Sequence, residues 1–127
     1  MVHDAYHAIA DLLDIEAVKV REIEGLAKSE LYENKDEDAY RELMRKKALL
    51  LSSLADQVNE AVQVLEVKDK TFVMDRIDRF ALSASQSLQI NSVFFMSALL
   101  YSEEYKEGDK NDLELFAESV RSMKLQN

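Results

Sequence analysis

The chain has 127 residues, of which 25 are acids and 16 are Lys or Arg, for a net charge of −9. That size fits one domain. The acidic balance repels a phosphate backbone, so nucleic acid is not an expected partner. Cysteine is absent, which excludes disulfides and thiolate metal sites.

Proline is also absent, and glycine occurs only at Gly25 and Gly108. A chain short of both breakers favours helix over sheet. The opening MVHDAYHAIADLLDIE carries acids where a secretory signal needs a basic region and an apolar run, so the expected location is cytoplasmic. A first helix is expected over about residues 4–32, because Ile9, Leu13, Ala17, Val20, Ile23, Ala27 and Leu31 step by three or four. Gly25 falls inside it, where it marks either a bend or a close helix approach.

Asn34 to Glu37 has the form of a capping box, opening a second helix over about 37–66. Its seam is Leu51, Leu54, Val58, Ala61 and Leu65. Continued backwards, the seam puts Lys47 on the inward side, which calls for snorkelling or for an acid of the first helix such as Glu16 or Glu24. The basic cluster Arg41, Arg45, Lys46 and Lys47 lies among Asp36, Glu37, Asp38 and Glu42 and reads as helix-surface ion pairs.

A third helix is expected over about 71–106, with Asp69 or Thr71 as its cap. It holds FALSASQSLQINSVFFMSALLYS, Phe80 to Ser102, a stretch with no charged residue. Its serines, glutamines and asparagine make it too polar to cross a membrane, and no membrane association is expected. Its apolar and small polar residues fall on every side of a helical wheel, the pattern of an enclosed helix. The face of Leu82, Ser85, Gln86, Gln89 and Ser92 has no obvious cover within one chain. The expectation is a homodimer packed on this face, since two-fold dimers are the commonest oligomers. Two alternatives remain: a bent first helix that fills the gap, or a break within SQSLQINS. Phe94, Phe95, Met96, Leu99, Leu100 and Tyr101 carry more bulk than one stripe hides, and are divided between core and a partner groove.

Gly108 suits the end of that helix, and Asn111 to Glu114 forms a second capping box before a short helix over about 112–124. The first three helices would span roughly 40–55 Å and the last only about 20 Å. The last would then cover the third helix from about Tyr105 to about Asn91. The expected fold is all-α: an antiparallel up-down-up-down four-helix bundle of three long helices and a short fourth, forming a single domain over residues 1–127.

Candidate chemistry is sparse. His3 and His7, with Asp11 one turn further, share a helix face at a spacing able to hold a transition metal. Paired acids recur at Asp11/Asp14, Glu30/Glu33, Asp75/Asp78 and Glu103/Glu107. Glu30 and Glu33 on one helix, with Asp56, Asn59 and Glu60 on the next, give an alternative reading as a divalent-metal-dependent all-α enzyme of the nucleotide pyrophosphohydrolase kind. The run Asn34 to Asp38 opens like a calcium loop, but Ala39 and Arg45 stand where glycine and glutamate are needed. No nucleophilic triad is supported. The expected function is therefore non-catalytic: a helical interaction, adaptor or chaperone-like module that self-associates through its third helix, with no cofactor and with a helical protein as a second possible partner.

Overall fold

A computed structural model of the chain describes residues 2–123, with side chains from residue 5 onward. The described residues are all helical in their regular structure. They form six helices: α1 (Val2–Tyr32), α2 (Glu37–Ser52), α3 (Leu54–Gln63), α4 (Val67–Gln89), α5 (Val93–Ala98) and α6 (Asp112–Ser122).

α1 is the spine, and α2, α3 and α6 all pack along it. Its expected stripe is inside: Ile9, Leu13, Ala17, Val20, Ile23 and Ala27 are buried, and Leu31 is half-buried. Gly25 does not serve a close helix approach, for a Cβ built there would meet nothing within 4 Å. Gly25→Ala is therefore expected to stabilise the fold by about 1 kcal/mol, the difference in helix propensity. Urea unfolding measures it, and a loss of stability would mean that position 25 touches something.

The second expected helix is two helices. Ser52 and Ser53 donate their hydroxyls back to the carbonyls of Leu49 and Leu50 at 2.8 and 2.9 Å, and the Ser53 amide bonds to Leu50 O in a tight turn. Serines that compete for carbonyls in this way loosen a helix. One residue is lost from the ladder, and the buried seam continues as Leu51, Leu54, Val58, Val62 and Leu65, with Ala61 only half-buried. The cap of α2 is Asp36, whose carboxylate accepts from the Ala39 amide at 3.0 Å. Asn34 instead donates to Glu30 Oε1 at 2.7 Å.

The third expected helix, 71–106, is replaced by α4, α5 and an irregular segment over 99–111. α4 begins earlier than either candidate cap: Thr71 bonds back to Val67 O, and Asp69 accepts from the phenol of Tyr6. Tyr6 is fully buried in the core, and burial, reinforced by Asp69, pushes its ionisation up to about 12. At the other end, α4 closes at Asn91, whose φ of 52° is left-handed. The Ser92 amide bonds to Ser87 O, and the Asn91 amide to Leu88 O, both at 3.0 Å. This nested pair of bonds is a standard helix terminus, with asparagine in the place more often held by glycine. Ser92 then caps α5 by accepting from the Phe95 amide at 3.1 Å. The break within SQSLQINS is thus real, and it lies at residues 90–92.

Asn111 and Glu114 form the expected capping box at α6. Gly108 has the left-handed φ of 95°, but it sits in the irregular segment rather than at a helix end. α6 does not cover residues 91–105 of the chain. It lies along α1, with Glu114 beside Arg21 and Arg121 beside Asp11 and Asp14. It reaches α4 through Phe116, whose ring meets Phe72 and Phe80 at centroid distances of 6.3 and 5.8 Å. The reason is the turn at Leu100, which is buried with a left-handed φ of 78° and whose carbonyl accepts from the Asp112 amide at 3.0 Å. The chain is redirected there, and the outer part of α4 is left without a helix over it.

Candidate functional site

α4 shows two kinds of surface. Val73, Ile77, Ala84 and Ser87 face the core, the Ser87 hydroxyl being satisfied by Ala84 O at 2.7 Å. Opposite them Leu82, Ser85, Gln86 and Gln89 are exposed, Leu82 to 59%. These four belong to one continuous face, because α4 runs unbroken to Gln89. Ser92 lies past the break and is half-buried, with its hydroxyl engaged as the cap of α5.

Beside this face runs a groove of about 830 Å³ between α4, α5 and the segment that follows. Leu51, Phe80, Leu99 and Leu100 contribute apolar floor, and Gln86, Gln89, Ile90 and Phe95 stand at its edges. Phe94, exposed to 72%, packs edge-on against Phe95 at 5.6 Å and extends the apolar surface outward. An exposed aromatic pair next to an apolar groove is uncommon on a surface that meets only water. The charged side chains of the lining are Arg76, Arg79 and Asp112. The Arg76 guanidinium lies 5.6 Å from the ring centre of Phe116 and 5.8 Å from that of Phe80.

The far wall of the groove is held by a charged clamp. Lys47 is fully buried and its ammonium donates to Ser97 O at 3.0 Å and pairs with Glu24 Oε2 at 2.9 Å. Glu24 Oε1 accepts from the phenol of Tyr101 at 2.6 Å, and the Lys47 ammonium also lies 5.0 Å from the Tyr101 ring centre. Burial draws the lysine below its ordinary pKa, against the pull of Glu24. Burial and the bond to Glu24 both raise that of Tyr101. The choice left open between Glu16 and Glu24 is settled geometrically, for Glu16 is taken by Lys19 at 2.9 Å.

A second clamp fixes the segment over 99–111. Arg21 donates to both oxygens of Glu114 at 2.8 and 3.1 Å, to Asp109 O at 3.1 Å and to the Tyr105 hydroxyl at 3.4 Å. The fork-shaped guanidinium suits this bidentate geometry, and the bond to Arg21 lowers the pKa of the Glu114 carboxyl. Four of the five tyrosines, Tyr32, Tyr40, Tyr101 and Tyr105, line a smaller hollow of about 370 Å³ around these clamps.

The remaining candidates are dispersed. The side chain of His3 lies outside the described residues, His7 is exposed, and Asp11 accepts from Arg121 at 2.6 Å. Asp14 accepts from the same guanidinium at 3.0 Å, which gives the Asp11/Asp14 pair a structural partner. Among the described residues no three His, Cys, Asp or Glu side chains gather as a metal would need. Lys47 stands level with Glu24. Counting along the helices from that contact, Glu30 and Asp56 lie about 20 Å apart along the bundle, at 1.5 Å per residue. Of the basic cluster, Lys47 is inside, and Arg45 donates to Asn91 Oδ1 at 3.1 Å, tying α2 to the turn between α4 and α5. Among the described residues no helix is long and apolar enough to cross a membrane.

The groove was out of reach of the sequence because its walls come from four separated stretches. The Lys47 clamp was not, since a lysine at an inward seam position is itself the signal. Comparison of the chain with known protein families, with curated proteins and with solved structures found no match to any of them.

Proposed function

We propose that the protein is a non-catalytic helical interaction module, acting in the cytoplasm as an adaptor or chaperone-like subunit, and that it self-associates through the outer face of α4. The observation that carries this reading is the uncharged face of Leu82, Ser85, Gln86 and Gln89, exposed on a chain otherwise dense with charge. An exposed helix face normally carries ions. A neutral face that continues into exposed Ile90, Phe94 and Phe95 is suited to a protein surface. In a two-fold pairing Ser85 sits near the crossing point, where a small side chain lets the two helices approach. The bundle is read as up-down-up-down, with α2 and α3 together forming the second leg. The contacts of Tyr6 with Asp69 and of Arg121 with Asp11 support that order.

Light scattering over a dilution series tests the reading. The wild-type chain is expected to show twice the chain mass at micromolar concentration, and Ser85→Arg to show the single-chain mass with an unchanged helix content. A wild-type chain that stays monomeric at every concentration overturns self-association.

A further inference from the structure

We infer that the groove between α4 and α5 is a docking site for an amphipathic helix of a partner protein, one that carries a carboxylate beside its apolar stripe. The inference rests on the reading of the chain as an interaction module and adds the chemistry of the partner.

Charge comes first. The chain carries −9 overall, yet the groove is lined by two arginines against one aspartate. Among the described residues, Arg76 meets aromatic rings and no carboxylate lies within ion-pair distance of it. Its guanidinium lies within cation–π range of both the Phe80 and the Phe116 ring. A guanidinium near aromatic rings keeps its five N–H donors available to a carboxylate, and its planar fork loses little freedom when an anion arrives. Among the described residues, Arg79 pairs with Asp75 alone, in an exposed pair one helical turn away at 3.1 Å. Exposed pairs of that kind are weak and exchange readily.

Shape decides between a helix and a small molecule. A drug-sized ligand needs a pocket that encloses roughly 70–90% of its surface. Here Gln86, Gln89, Ile90 and Phe95 are exposed, so the groove is open on the side away from the core. From Arg76 to Gln89 the wall formed by α4 runs about 20 Å, the length of three to four helical turns. A wall of that length beside an apolar floor, with an exposed aromatic pair at one end and arginines at the other, matches anchors at i, i+3, i+4 and i+7 and an acid near one terminus.

The groove shares Gln86 and Gln89 with the self-association face, and the two are told apart at residues that belong to only one of them. Ser85 does not line the groove, whereas Arg76 does. The test is nitrogen–proton NMR on full-length wild type and on Ser85→Arg, with arginine side chains observed. The probes are synthetic amphipathic helices of about four turns that share one leucine stripe and are flanked by Glu, by Gln or by Lys. Decanoate serves as a small amphiphile. The Glu helix is expected to shift the Arg76 Nε–H and the amides of Ile90 and Phe95, and to bind about tenfold more tightly than the Gln helix. Arg76→Gln is expected to erase that preference while leaving the affinity for the Gln helix in place.

Equal affinity for all three helices, or shifts that avoid the groove, overturns the proposal. So does decanoate binding without peptide binding, which would make the site a pocket for a small amphiphile. Concentration-dependent shifts of the same amides in Ser85→Arg alone would make a second copy the occupant and overturn it too. Self-association through Ser85 is judged by the wild-type light-scattering mass and peptide binding by the shifts in Ser85→Arg, so the two readings fall separately.

Discussion

Lys47→Ala is expected to lower the unfolding free energy by about 3–5 kcal/mol, the range for breaking a buried ion pair by removing one partner. The Lys47 ammonium is fully buried and meets three groups at once: Glu24 of α1 at 2.9 Å, Ser97 O of α5 at 3.0 Å and the ring of Tyr101 in the segment beyond it. Alanine would leave the Glu24 carboxylate with the Tyr101 phenol alone, strip Ser97 O of its donor and open a cavity along the lost methylenes. Glu24 retains 20% exposure at its side chain, so water can relieve part of the penalty and the lower end of the range is expected.

Two further variants separate charge from volume. Lys47→Met keeps most of the packing but still strands Glu24, and should fall between alanine and wild type. Combining Lys47→Met with Glu24→Gln removes both charges and should recover most of the loss, as buried pairs replaced together often do. Urea midpoints for the three variants check the order. A loss below about 1 kcal/mol for Lys47→Ala would mean that the clamp contributes no more than an exposed pair. Hydrogen exchange gives the functional half of the prediction: amides over 93–100 should lose protection first, because the clamp is what holds α5 as the far wall of the groove.

How far the sequence foretold this arrangement depended on whether a signal was local. The buried stripe of α1 was legible because every member repeats on one face, and the box at Asn111 and Glu114 because both partners lie within one turn. Lys47 was legible for a related reason: a charged residue in an apolar seam must find an opposite charge, and the neighbouring helix offered acids such as Glu16 and Glu24. The seam past Ser53 was read correctly at Leu54, Val58 and Leu65 and missed at one position, where Val62 is buried and Ala61 only half-buried.

Residues 80–102 concealed more. Without charged residues there is no polar face to fix the phase, and the break within SQSLQINS stood only as an alternative to a continuous helix. The signal was present, for asparagine tolerates the left-handed conformation better than its neighbours do. Leu100 gave no such sign: a leucine at φ 78° is held by its burial and by the bond from Asp112, both supplied by distant parts of the chain. With that turn unread, the course of α6 was assigned to the wrong neighbour, and the groove beside α4 could not be drawn in its true place.

Phe116→Ala is expected to cost about 3–5 kcal/mol, as truncation of a buried phenylalanine generally does. Phe116 is 2% exposed and is the ring through which α6 meets α4, tilted against both Phe72 and Phe80. Its loss leaves a cavity between the helices and removes one of the two rings beneath Arg76. α6 should nevertheless stay on α1, because Leu113, Ala117 and Val120 remain buried and the pairs of Arg21 with Glu114 and of Arg121 with Asp11 and Asp14 do not involve Phe116. The expected result is a large fall in stability with helix content nearly unchanged. Phe72→Ala, at a position 46% exposed, should cost less than half as much. Thermal unfolding followed by circular dichroism distinguishes the cases. If Phe116→Ala and Phe72→Ala lose similar amounts, the contact between α6 and α4 is carried by the edge of the cluster and not by its buried ring, and the support beneath Arg76 must come from Phe80 alone.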